Sequence, residues 1–237
     1  MNHYEKLLAR KRSWTPVRTT AGQLVEGGED VIRRALALRH MELPVGQFIT
    51  DSLNEIPPDS ADLLQSNILD EHRHDSALGY LAEALGTDPQ SEREALALRE
   101  AWTAHPDHTV LKALVAERSI FFVLLPIFRF LGDAGCRTTS ADISRDEQVH
   151  VAANTLVCQD LGLSPSPSLD RLRKATIAWV TQPLRANTEN RYLDRDFWRN
   201  ASDHLMYQGK APELAETRRA RMPAFFEHSN SNLPAYA

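Results

Sequence analysis

Glycine is scarce, at 10 of 237 residues, and cysteine scarcer still, at two. With so few glycines and no sustained alternation of apolar and polar positions, the chain lacks the turns and pleated faces of a sheet protein. Cys136 and Cys158 make neither a metal-ligand spacing nor a disulfide framework, so both are expected as reduced thiols, one of them in the core. An excess of charge is missing too. A net charge of -5 gives no footprint for nucleic acid, and the basic clusters "RKR" at 10–12 and "RRAR" at 218–221 read as solvated faces. The first residues, "MNHYEKLLARKRSW", contain no apolar signal region. The longest apolar stretch, Ser119 to Gly132, is broken by Arg129 and is too short to span a bilayer. These absences predict a soluble, cytoplasmic protein with no membrane and no nucleic-acid partner.

Alanine, leucine, arginine and glutamate are plentiful, and clusters of proline, glycine and serine divide the chain into helical runs. The breakers predict long helices over about 29–53, 59–85, 109–131 and 140–161, with a shorter one near 91–104. Further helices are expected over about 168–198 and 212–226. Asp59 or Ser60, and Ser140, are the expected N-caps. The fold class is therefore all-α: a four-helix bundle with additional helices, read as a single domain over 1–237. Its core would lie in about 29–161, and a helical C-terminal extension in about 168–237.

Each long helix carries an acid inside its apolar stripe. The third runs Val110, Leu114, Glu117, Phe121, Leu124 and Phe128; the second runs Leu64, Ile68, Glu71, His74 and Leu78. The fourth runs Ile143, Glu147, His150 and Asn154, and the first runs Leu38, Glu42, Val45 and Ile49. A lone buried carboxylate costs several kcal/mol, roughly, so something must compensate it. Four inward glutamates with two histidines one turn further on make a ligand set for two metal ions. In the first helix Pro44 disturbs the pattern, and His40 or Asp51 could stand in for Glu42.

The motif D-E-x-x-H occurs twice, in "SNILDEHRHDSALGY" and "SADISRDEQVHVAAN". Glu42 precedes Glu71 by 29 residues and Glu117 precedes Glu147 by 30, so each half reads as a hairpin carrying one half-site. Four carboxylates neutralise and bridge two divalent ions, and two imidazoles complete the set while leaving positions open for dioxygen. A ligating histidine usually donates its other N–H to a carboxylate. The hairpin symmetry predicts Asp146 on His74 and Asp70 on His150.

This layout resembles the ferritin-like di-iron and di-manganese carboxylate proteins. "ERSIFF" and "ISRDEQVH" are similar to the third and fourth metal-binding helices of the ribonucleotide reductase small subunit. That resemblance implies Glu117, Glu147 and His150 as ligands, with Asp146 and Trp14 in an electron-transfer chain. At the place of that family's radical tyrosine stands Leu78, so an oxidising equivalent would rest on a manganese/iron pair. The doubled motif is equally similar to di-iron monooxygenases and acyl desaturases. The expectation ranked first is an enzyme with an Fe/Fe or Mn/Fe cofactor that reduces dioxygen to oxidise a small organic substrate. Its ligands would be Glu42, Glu71, His74, Glu117, Glu147 and His150, with Leu78, Phe121 and Leu125 walling an apolar pocket. It would need an electron donor, and a homodimer is usual for the superfamily. A radical-generating reductase subunit with a large-subunit partner comes second, and iron storage third.

Overall fold

The structure, a computed structural model, describes residues 2–214. Among these residues it is all-α, with one isolated backbone bridge between Arg185 and Asp194 and no strand. The elements are α1 (His3–Leu8), α2 (Glu29–Ala37), α3 (Glu42–Ser52), α4 (Ala61–Leu85), α5 (Pro89–Ala104), α6 (Thr109–Ala116), α7 (Phe122–Leu131), α8 (Ala134–Asp160), α9 (Pro167–Thr181) and α10 (Arg195–Gln208).

Two of the expected long helices are interrupted legs. The first is α2 and α3, joined by a tighter turn over Leu38–Met41. Pro44 supplies the reason: it has no N–H for the His40 carbonyl, and its ring crowds that carbonyl. The third is α6 and α7, joined by one turn of π-helix over Glu117–Phe121, in which the Phe122 N–H reaches back to the Glu117 carbonyl. Downstream, Pro126 lies inside α7 and interrupts its ladder in the same way.

The legs close into a bundle. α3 packs on α4 and α7 on α8, and the two hairpins meet through α3 on α6 and α4 on α8. α5 crosses between the hairpins and leans on α2. α9 and α10 cover the α6–α7 leg from outside, while α1 lies across α4 and α8.

Caps differ from expectation at two starts. α8 begins six residues before Ser140, with Asp133 Oδ1 accepting the Cys136 N–H at 2.8 Å. Ser140 is instead buried in mid-helix, where its hydroxyl donates to the Leu125 carbonyl at 2.6 Å and so ties α8 to α7. Ser60 precedes α4 but its hydroxyl donates to the Pro57 carbonyl rather than capping. The helix expected over 168–198 is two elements, because α9 stops at Thr181 and α10 starts only after Asp194, whose side chain accepts the Asp196 N–H. Most of the helix expected over 212–226 lies outside the described residues; Pro212–Leu214 forms a single short turn. No helix among the described residues is long and apolar enough to cross a membrane.

Candidate metal centre

Glutamate and histidine three residues apart share a helix face, and both D-E-x-x-H motifs sit in the middle of long helices. Glu71 and His74 point inward from α4, and Glu147 and His150 from α8. Glu42 opens α3 where the tight turn ends, and Glu117 opens the π-turn. His40 and Asp51 do not take Glu42's place. His40 pairs with Glu92, and exposed Asp51 accepts a hydrogen bond from Gln47.

The histidines are held by the opposite hairpin. His74 Nε2–H donates to Asp146 Oδ2 at 3.3 Å, and His150 Nε2–H donates to Asp70 Oδ2 at 3.0 Å. Those carboxylates fix the tautomer, leaving each Nδ1 aimed into the cluster. His74 Nδ1 lies 3.5 Å from Glu42, 3.5 Å from Glu71 and 3.4 Å from Glu147. His150 Nδ1 lies 3.1 Å from Glu71, 3.7 Å from Glu117 and 3.9 Å from Glu147.

Two groups of donor atoms result, each within 4.8 Å of one another: Glu42, Glu71, His74 and Glu147, and then Glu71, Glu117 and His150. Glu71 belongs to both. Glu71, His74, Glu117, Glu147 and His150 are each 0% exposed, so bulk solvent does not reach them. Yet both oxygens of Glu71 and of Glu147, one each of Glu42 and Glu117, and both Nδ1 atoms have no hydrogen-bond partner. Buried polar atoms are nearly always paired. So many orphans converging on one place fit cations that would accept their lone pairs, and these buried groups could hold metal ions.

The protonation energetics agree. Burial raises Glu42 and Glu117 well above the carboxylate range, and each is pushed further by a neighbouring carboxylate. Burial also raises Glu147. Glu71 is opposed by burial as well, but His150 and His74 outweigh it and hold it below the usual range. Despite burial, the surrounding carboxylates raise both His74 and His150. Without cations the cluster therefore holds protons.

Around this core the two sides differ. Asp146 accepts the Trp14 indole N–H at 2.7 Å, and the Trp14 ring stacks near His74 at 6.2 Å between centroids. Asp70 instead pairs with Arg73 and Lys11. Lys11 is almost buried and also donates to Ser66 and Asn67 at 2.7 and 2.8 Å, so it is no part of a solvated basic face. Its charge compensates Asp70, and burial lowers its ammonium to about 8. Lys11 escaped the sequence reading because it follows α1 in a segment with no period; the basic run alone marked it. Asn154, one turn beyond His150, donates to Glu117 Oε2 at 2.7 Å and leaves Oε1 facing the cluster.

Leu78, Phe121 and Leu125 line one cavity with Glu42, Arg39 and Leu124. Its volume is about 10 Å³, close to the smallest space that admits a water molecule. Comparison of the chain with protein-family models, with curated proteins and with solved structures finds no match.

Proposed function

We propose that the cluster binds two metal ions, Fe/Fe or Mn/Fe, and that the chain is an oxidase or oxygenase of a small apolar organic substrate. The observation that carries this reading is the convergence of orphaned, fully buried carboxylate oxygens and imidazole nitrogens in two groups that share Glu71. A bound metal pair supplies the electrons with which dioxygen is reduced. The protein's own groups do the rest. Glu42, Glu71, Glu117 and Glu147 balance the positive charge, and Asp70 and Asp146 hold the Nε2 protons so that each Nδ1 stays a donor. Leu78, Phe121, Leu124 and Leu125 keep bulk water from the Glu42 side, and the cavity they leave is no larger than one water needs, so an organic substrate enters only if these side chains move.

A second reading is the radical-generating small subunit of a ribonucleotide reductase. The hydrogen-bonded line from half-buried Trp14 through Asp146 to His74 favours it, because it offers a route for single electrons between the surface and the cluster. One experiment separates the two. The isolated, iron-loaded chain is supplied with reductant and a panel of small apolar compounds, and dioxygen uptake is followed with product analysis. Uptake matched to oxidised product supports the oxygenase reading. A tight complex with a reductase large subunit that reduces nucleotides, with no oxidised product from the panel, overturns it in favour of the second.

A further inference from the structure

The π-turn that carries Glu117 is tied to the C-terminal helices by a buried polar line. Ser202 of α10 donates its hydroxyl to the Ser119 carbonyl at 2.6 Å. The Arg173 guanidinium of α9 donates to Ser202 Oγ at 2.7 Å, to Asp170 at 2.8 and 2.9 Å, and to Asp203 at 2.6 Å. Arg173 is 1% exposed and Ser202 0%. Burying a guanidinium is costly unless its donors are matched, and here one of the matched donors leads, through Ser202, to the backbone of the π-turn in the bundle's third leg.

That turn has an alternative. A π-turn holds one residue more than an α-turn, and rewinding it would rotate whatever follows by roughly 100°, one residue's share of an α-helical turn. Glu117 and Phe121 stand at its two ends, one facing the other acids and the other walling the cavity. A tether on the Ser119 carbonyl, between them, holds both in place.

We propose that Ser202, oriented by Arg173, is a positioning residue that holds the π-turn in the register placing Glu117 in the three-donor group, and so sets the affinity of that metal position and not of the other. This rests on the dinuclear reading above. The four-donor group of Glu42, Glu71, His74 and Glu147 takes no donor atom from the turn, so loss of the tether weakens the other position selectively.

The test is an anaerobic Co(II) titration of the metal-free full chain, followed by visible absorption and calorimetry. Wild type binds two ions. Ser202→Ala keeps its helical content and its first ion but binds the second about tenfold or more weakly, the scale of losing an outer contact to a ligand. Ser202→Thr, which retains the hydroxyl, restores the second ion. Arg173→Lys keeps the charge without the fork and gives the same one-sided loss in smaller measure. Equal, unweakened binding of two ions by Ser202→Ala overturns the proposal, and so does a parallel loss of both ions, which marks a merely structural role. If wild type binds two ions and Ser202→Ala is silent, the dinuclear reading survives and the tether fails. A wild type that binds no cobalt overturns both.

Discussion

Replacing Glu42 by leucine should make the metal-free protein more stable while depriving it of a metal position. Glu42 is 3% exposed, and its Oε2 has no hydrogen-bond partner. Burial and the nearby Glu71 push its carboxyl well above the ordinary range, so the metal-free fold carries a neutral acid with an unmet acceptor. Leaving a buried polar atom unpaired costs about 1–3 kcal/mol, and leucine, of similar size, removes that cost beside a cavity already walled by Leu78, Leu124 and Leu125. The change takes no hydrogen bond from His74, whose Nδ1 is unpartnered already, and it leaves the Glu71 and Glu147 carboxylates as near to that atom as Glu42 was. For a chain of this size about 1 kcal/mol moves the melting temperature by about 2–4 °C, so Glu42→Leu should melt roughly 2–12 °C higher without metal. Scanning calorimetry of both proteins, with and without Fe(II) under anaerobic conditions, gives four numbers. The variant should start higher and gain less from metal. A variant that melts lower without metal would refute the reasoning, since Glu42 would then be a structural acid with partners of its own.

Three further outcomes follow from the same geometry. Asp70→Asn and Asp146→Asn each unseat one imidazole and should weaken metal binding by about tenfold to a hundredfold at native helical content, read by competition with a chelator. Burial raises Glu42, Glu117 and Glu147, so the metal-free fold binds more protons than the unfolded chain above the ordinary value of 4.5. Their share of stability is whole below that value and lost as the pH rises through the raised ones. Metal must displace those protons, so calorimetry in buffers of different ionisation heat should show proton release, with affinity climbing over the same window. Trp14→Phe removes the N–H on Asp146 but no donor to the cluster, so metal content should stay while reduction by an external one-electron donor slows in stopped flow.

The periodic parts of the fold and site were legible in the sequence. Glu71 with His74 and Glu147 with His150 announce themselves because a spacing of three keeps both side chains on one helix face, and each motif repeats the aspartate that the other hairpin's histidine meets. Leu78, Phe121 and Leu125, expected to wall one apolar pocket, do line one cavity, with Leu124 from the third stripe beside them. What stayed hidden lacks a period. The π-turn at Glu117–Phe121 adds one residue without disturbing the four-residue spacing between its ends, so it reads as ordinary helix. Residues 132–140 look like a loop, yet their small side chains let α8 start early and pack closely; a Cβ on Gly135 would meet Thr19 Oγ1 at 2.7 Å. Lys11 reaches the centre from a segment outside any helix, and only tertiary structure brings it over α4; Trp14 in the same segment was pointed to by the family resemblance and not by any period.

The central claim is most directly tested by counting metal. The chain is stripped with chelator, reloaded anaerobically with Fe(II), freed of loose metal and measured by elemental analysis against protein concentration. Two groups of donors sharing Glu71 predict about two ions per chain, and Glu117→Ala combined with Glu147→Ala predicts none retained. One ion or none in the wild type, or retention of both by the double variant, would contradict it.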